Sequence, residues 1–215
     1  MAVASAEHAE RQWYIVGRWQ EFEGEGRANL LRVAAVGAFY LVQLVHYHFF
    51  SGNGAAGHTR AEVVFHQQAT AVAAAWTMVS VAILLCLQRR MFPAGLKYAS
   101  SAADLVLLTA LASLGDGPRS PLVLGYFLII ALAGLRFSLG LIWCCTLGSM
   151  AGYLLLVAIK DKGWFDADHF VSPVEQLSTL LSLGITGIVL GQVIRRVKGI
   201  AADYAQRMQP SEGLR

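Results

Sequence analysis

The sequence is poor in charge. Asp, Glu, Lys and Arg make up 14% of its 215 residues, where soluble domains carry roughly 25%. An ordinary water-soluble domain, a disordered chain and a coiled coil are thereby excluded. Cysteine is scarce as well: Cys86, Cys144 and Cys145 are the only three, and each lies inside an apolar run, which excludes a disulfide framework and a thiolate metal cluster. There is no CxxCH or HExxH spacing, no phosphate-cradling glycine loop, no nucleophile set beside a base and no paired carboxylates. The sequence therefore offers no catalytic residues, and the chain reads as a non-enzyme. A cleavable signal peptide is also missing, because residues 1–28 carry Glu7, Glu10, Arg11, Glu21, Glu23 and Glu25 and hold no apolar stretch.

What the chain does have is apolar sequence, 56% of it hydrophobic. A bilayer span takes about 20 apolar residues, so a chain of this length holds about six spans and no separate soluble catalytic domain. The runs bounded by charge, Gly or Pro are Leu30 to Phe50, Val63 to Leu87, Leu96 to Leu114, Leu122 to Phe137, Leu139 to Ile159, and Val174 to Ile194. They predict an all-α, polytopic bundle of six transmembrane helices. Residues 1–28 form a leader in which Trp13, Val16, Trp19 and Phe22 recur at helical spacing, as in a short amphipathic helix at headgroup level. Residues 29–195 form the membrane domain and 196–215 an exit tail.

Lysines and arginines set the direction. Thirteen, among them Arg11, Arg32, Arg89, Lys97, Arg136 and Arg195, fall on one side of the predicted spans, against Arg60, Arg119, Lys160 and Lys162 on the other. Because short loops rich in these residues stay cytoplasmic, both termini are placed in the cytoplasm and the chain in a cell membrane, as a multi-pass protein. The net charge of +3 is absorbed by this asymmetry, so nucleic acid is not implied.

The outer side is decorated with histidines and acids. The first span ends LVHYHFF and the second begins AEVVFHQQA, which brings His46, His48, Glu62, His66, Gln67 and Gln68 to one height. Glu62 and His66, four apart, share a helix face, whereas His46 and His48, two apart, cannot both point at one partner. His169, Glu175 and Gln176 join them if the sixth helix lies alongside. Three readings stand: residues in the wet interface, a small-ligand or proton-sensing site, and a metal or haem site. For the last, His46, His48 and His66 are the candidate ligands of haem b or a transition metal.

Asp104 lies about two turns into the third span. An intramembrane carboxylate is expensive and is a functional candidate by default. Its expected partner is Arg136 at the end of the antiparallel fourth span, as an ion pair that fixes register. A proton or cation relay and a protonated acid are the alternatives. The turn from Gly115 to Pro121 is stiff and closes a hairpin, or else forms an outer ligand mouth with Asp116 and Arg119. GxxxG pairs at Gly148/Gly152 and Gly187/Gly191 let backbones approach closely, in a compact bundle or a dimer. Beyond the sixth span Ile194, Val197, Ala201, Tyr204 and Met208 keep a helical period, so the last helix runs on as an amphipathic rod.

An N-in, C-in bundle of six short-looped spans, with an aromatic leader and a helix leaving through RRVKGIAADYAQR, resembles the six-helix membrane sensor or anchor modules that precede cyclase or kinase domains in bacterial signalling proteins. The resemblance implies a receptor and dimeriser, with the outer histidine and acid cluster as its ligand end and a homodimer partner or a cytoplasmic signalling domain beyond the exit helix. A haem- or metal-bearing membrane subunit of an electron-transfer complex is the second expectation, and a small transporter or channel the third.

Overall fold

The computed structural model describes residues 2–50, 60–89, 93, 95–160 and 171–208, with side chains outside the description at 2–21, 50, 61 and 205–208. Among the described residues there are six α-helices and no strand: α1 (Ala2–Val45), α2 (Arg60–Gln88), α3 (Leu96–Leu114), α4 (Leu124–Leu135), α5 (Leu139–Lys160) and α6 (Pro173–Met208). A π-turn, His46–Phe50, ends α1, and two short 3-10 turns, Gly117–Arg119 and Pro121–Val123, lead into α4. Four helical segments are long and apolar enough to cross a membrane: Phe22–Phe49, Glu62–Gln88, Leu139–Lys160 and Pro173–Tyr204. The third and fourth expected spans fall short of that standard for physical reasons. Lys97 and Asp104 dilute α3, and the 12 residues of α4 reach only about 18 Å, against about 30 Å of hydrocarbon.

The leader is not a separate element. Helix α1 runs unbroken through residue 28, so the boundary expected there falls inside a helix. The side chains of Trp13, Val16 and Trp19 lie outside the described residues. At the other end α6 continues past Arg195 to Met208, as the period of its apolar residues predicts.

The continuous apolar core is drawn from α3, α4, α5 and α6. Leu108, Tyr126, Ile130, Leu141, Cys145, Leu156, Leu183 and Ile194 are all buried in it. Among the described side chains of α1 and α2, the half-buried Trp76 is the one that packs against that core. Both GxxxG pairs are spent on it: Gly148 faces Leu105 and Gly152 faces Tyr126 and Thr109, while Gly187 meets Thr146 and Gly191 meets Leu139. The connection from α4 to α5 is made in three residues, with Phe137 held at φ 48°, a conformation that a bulky residue rarely adopts.

Helix α1 crosses the end of α4 closely. A Cβ built on Gly24 would stand 2.8 Å from the Leu135 carbonyl oxygen and 3.3 Å from the Arg136 Cα. Gly24→Leu improves helix propensity by about 0.8 kcal/mol yet forces two backbones apart, an overpacking cost of about 1–3 kcal/mol. The expected result is a lower thermal midpoint in detergent. An unchanged or higher midpoint contradicts this crossing.

Candidate functional site

Helix α1 carries Glu25, Asn29 and Arg32 at i, i+4 and i+7, one face of the helix, and all three are at most 2% exposed. That face meets Ser100, Ser101 and Asp104 on α3, Trp76 and Ser80 on α2, and Arg136 at the end of α4. Arg32 forms a two-pronged ion pair with Asp104, Nε to Oδ1 and Nη2 to Oδ2, both at 2.7 Å. Its Nη1 donates to Asn29 Oδ1 at 2.7 Å, and Asn29 Nδ2 donates to the Ser80 carbonyl at 3.1 Å. Trp76 Nε1 donates to Asp104 Oδ1 at 2.7 Å, so three donors hold the one carboxylate.

Arg136 belongs to a second pair. Its Nη2 donates to Glu25 Oε1 at 2.8 Å and its Nε stands 2.8 Å from Oε2. Its remaining N–H groups reach the Ser101 and Ser100 hydroxyls and the Lys97 carbonyl. The Asp104–Arg136 pair expected from sequence is therefore corrected. Arg136 lies level with Ser100 and Ser101, one turn below Asp104, where Glu25 satisfies it, and Arg32 takes the place assigned to it. The four ions alternate in sign and sum to zero, which is how charge is tolerated away from water.

Above this quartet lies a cavity of about 400 Å³ between the α1–α2 hairpin and α3–α4. It follows α3 from Asp104 to Gly115, about 16 Å of helix. Its walls are mainly apolar, with Val36, Phe39, Phe65, Leu108, Leu111 and Ile129 among them. The Arg32–Asp104 pair closes one end, and Asp116, Ser120 and Pro121 stand at the other. The stiff turn thus borders the cavity through Asp116, whereas Arg119, the other residue of the expected ligand mouth, is not part of the lining. Asp116 is exposed, and Ser120 is held inward by accepting from the Leu122 backbone N–H.

The histidine end is less well assembled. The π-turn lays the Tyr47 ring flat on His66, centroids 4.1 Å apart, and places His48 edge-on to His66 at 6.4 Å. His48 Nδ1 is 3.1 Å from the Leu44 carbonyl, and His66 Nδ1 is buried with no hydrogen-bond partner among the described residues. Glu62 is half-buried one turn before His66, while His46, Gln67 and Gln68 are exposed. Glu175 does not join them. It stands exposed at the start of α6 in electrostatic range of Tyr153 on α5. His169 lies outside the described residues. No three His, Cys, Asp or Glu side chains converge among the described residues, and a zinc site takes at least three protein ligands. Among the described residues, His46, His48 and His66 thus do not assemble the ligand set of the metal ion they were expected to hold.

Of the residues that matter most, Arg32 was read in sequence only as a topology charge and Glu25 only as part of a leader. Comparison with protein-family models, with curated proteins and with solved structures gives no match.

Proposed function

We propose that this protein is a ligand-binding receptor or regulatory module of a cell membrane, a six-span bundle with both termini in the cytoplasm. The observation that carries the reading is the apolar cavity closed by a buried ion pair. A preformed, mostly apolar pocket of several hundred Å³ with a few polar groups is the usual form of a small-molecule site. Six spans, rather than the four helices that reach full length, are supported by the thirteen-to-four asymmetry of basic residues and by α3 and α4 packing inside the bundle. The glycine pairs lend no support to the expected homodimer, since both close contacts within one chain.

The route of a signal follows from contacts. The cavity ends on Asp104, Asp104 is joined through α3 to the Ser100–Ser101–Arg136 cluster, and Arg136 opens the turn to α5. The helix ends that this turn joins pack on α6, Gly134 of α4 against Leu190 and Leu139 of α5 against Gly191, close to where α6 leaves the bundle. A hairpin that adds little to the apolar core is the element best able to shift, because few buried apolar contacts resist local opening.

The test needs no ligand. Spin labels at Arg27→Cys and Ala202→Cys, in a chain whose three native cysteines are replaced, report the spacing of the two outgoing helices. Asp104→Asn, which weakens the floor of the cavity, is expected to displace that distance by at least about 2 Å, the scale of helix shifts in switching bundles. Superimposable distance distributions in both chains would remove the signalling reading.

A further inference from the structure

Resting on the receptor reading, we infer that the cavity binds an uncharged amphiphile taken from the bilayer, with a hydroxyl or carbonyl oxygen against the Arg32–Asp104 pair. Its chain leaves between α1 and α4.

Charge balance at the floor decides the headgroup. Arg32 has five N–H groups, of which the two to Asp104 and the one to Asn29 are engaged. The second N–H on each terminal nitrogen remains for a ligand oxygen. Asp104 Oδ2 accepts from Arg32 and keeps a lone pair for a hydroxyl proton. A carboxylate placed there meets Asp104, and an ammonium meets Arg32. Either one adds a charge that has no counter-ion beside a quartet already balanced to zero, and an uncompensated buried charge is strongly destabilising. A neutral oxygen adds hydrogen bonds and disturbs neither ion.

The side opening decides the source. Apart from Asp116 at the loop end, the exposed members of the lining are Phe39, Val42 and Pro121. They are apolar and stand where α1 faces the approach to α4. A molecule dissolved in hydrocarbon passes such an opening at no desolvation cost, whereas a water-borne polar molecule does not. The capacity is also matched. A cavity of about 400 Å³ takes on the order of a dozen groups of roughly 30 Å³, the share of a water molecule in the liquid. That is enough for a compact headgroup and the first part of a chain, and the remainder of the chain stays in lipid.

Photolabelling tests this on the full chain in vesicles of dioleoyl phosphatidylcholine. The probes are hexadecanol, hexadecanoic acid at pH 8 and hexadecyltrimethylammonium, each with a mid-chain diazirine. The alcohol is expected to label residues 35–43 and 125–132 saturably, in competition with plain hexadecanol. The acid and the ammonium compound are expected to label them about tenfold less, the scale of one hydrogen bond to a charged group. Ala69→Phe fills the middle of the cavity from α2, seven residues before Trp76, and is expected to abolish the saturable fraction with helical content unchanged. Equal labelling by all three headgroups, or alcohol labelling that plain hexadecanol does not compete away, overturns the ligand assignment. If Asp104→Asn still displaces α6 in that case, the receptor reading stands and only the ligand falls. If α6 does not move either, both fall.

Discussion

Asp104→Ala is expected to cost the bundle about 3–5 kcal/mol, because it leaves the Arg32 guanidinium buried without its counter-ion. The figure follows from desolvation rather than from the strength of the pair. Arg32 and Asp104 are each 2% exposed, and their mutual attraction offsets the loss of hydration only while both are present. Exchanging the two ions together, as Arg32→Met with Asp104→Leu, removes the penalty along with the attraction. The double variant is expected to recover most of the stability, since well-packed hydrophobic replacements of buried pairs are often neutral or better. Unfolding midpoints in mixed detergent check this. If the double variant is no more stable than Asp104→Ala, the loss has another origin, the most direct being Trp76, whose indole N–H also depends on Asp104. The double variant separates stability from function as well: it folds, yet its cavity has no polar floor.

Much of the helical layout is legible in the sequence for a simple reason. Hydrocarbon admits only backbone that satisfies itself, so apolar run length maps closely onto helix length. The expected runs Leu96 to Leu114 and Leu139 to Ile159 match α3 and α5 to within a residue. The cavity and its floor are not legible in the same way. Arg32 stands two residues after Leu30, at the start of an apolar run, where a basic residue has a ready meaning as a topology signal, and that meaning hides its second use. Only the spacing of Glu25, Asn29 and Arg32 on one helix face, set against Ser100, Ser101 and Asp104 on another, points to a shared polar seam. That match becomes visible once α1 is known to be continuous through residue 28. The arrangement of the histidines is hidden for the opposite reason. Residue type drew His46, His48 and His66 together, while the π-turn that sets their rings has no sequence signature and puts Tyr47 on the His66 face. Glu175 was assigned by expected height alone, and α6 packs on α5 and α4 and carries it away.

The second large effect lies one turn lower. Arg136→Met leaves the Glu25 carboxylate, which has no exposure, with the Ser100 hydroxyl as its remaining hydrogen-bond donor. A loss of about 3–5 kcal/mol is again expected, but its location differs. Glu25 and the Gly24 crossing are what hold the first part of α1 against α4, so the loss appears as local opening before global unfolding. Hydrogen exchange is expected to quicken in residues 22–30, and trypsin is expected to gain access after Arg27, while α5 keeps its protection. Uniform deprotection of all helices would show instead that the pair supports the whole core. The two pairs are also expected to act as one device. Arg136 and Arg32 repel each other and are each attracted by both acids, so weakening one pair changes what the other is worth. A cycle built from Glu25→Gln, Asp104→Asn and their combination is expected to give a coupling energy of about 0.5–3 kcal/mol, the range for residues in one network. Strict additivity would mean that the cavity floor and the α1 crossing are independent. A change at Asp104 would then have no route through these charges to the turn on which α6 leaves the bundle.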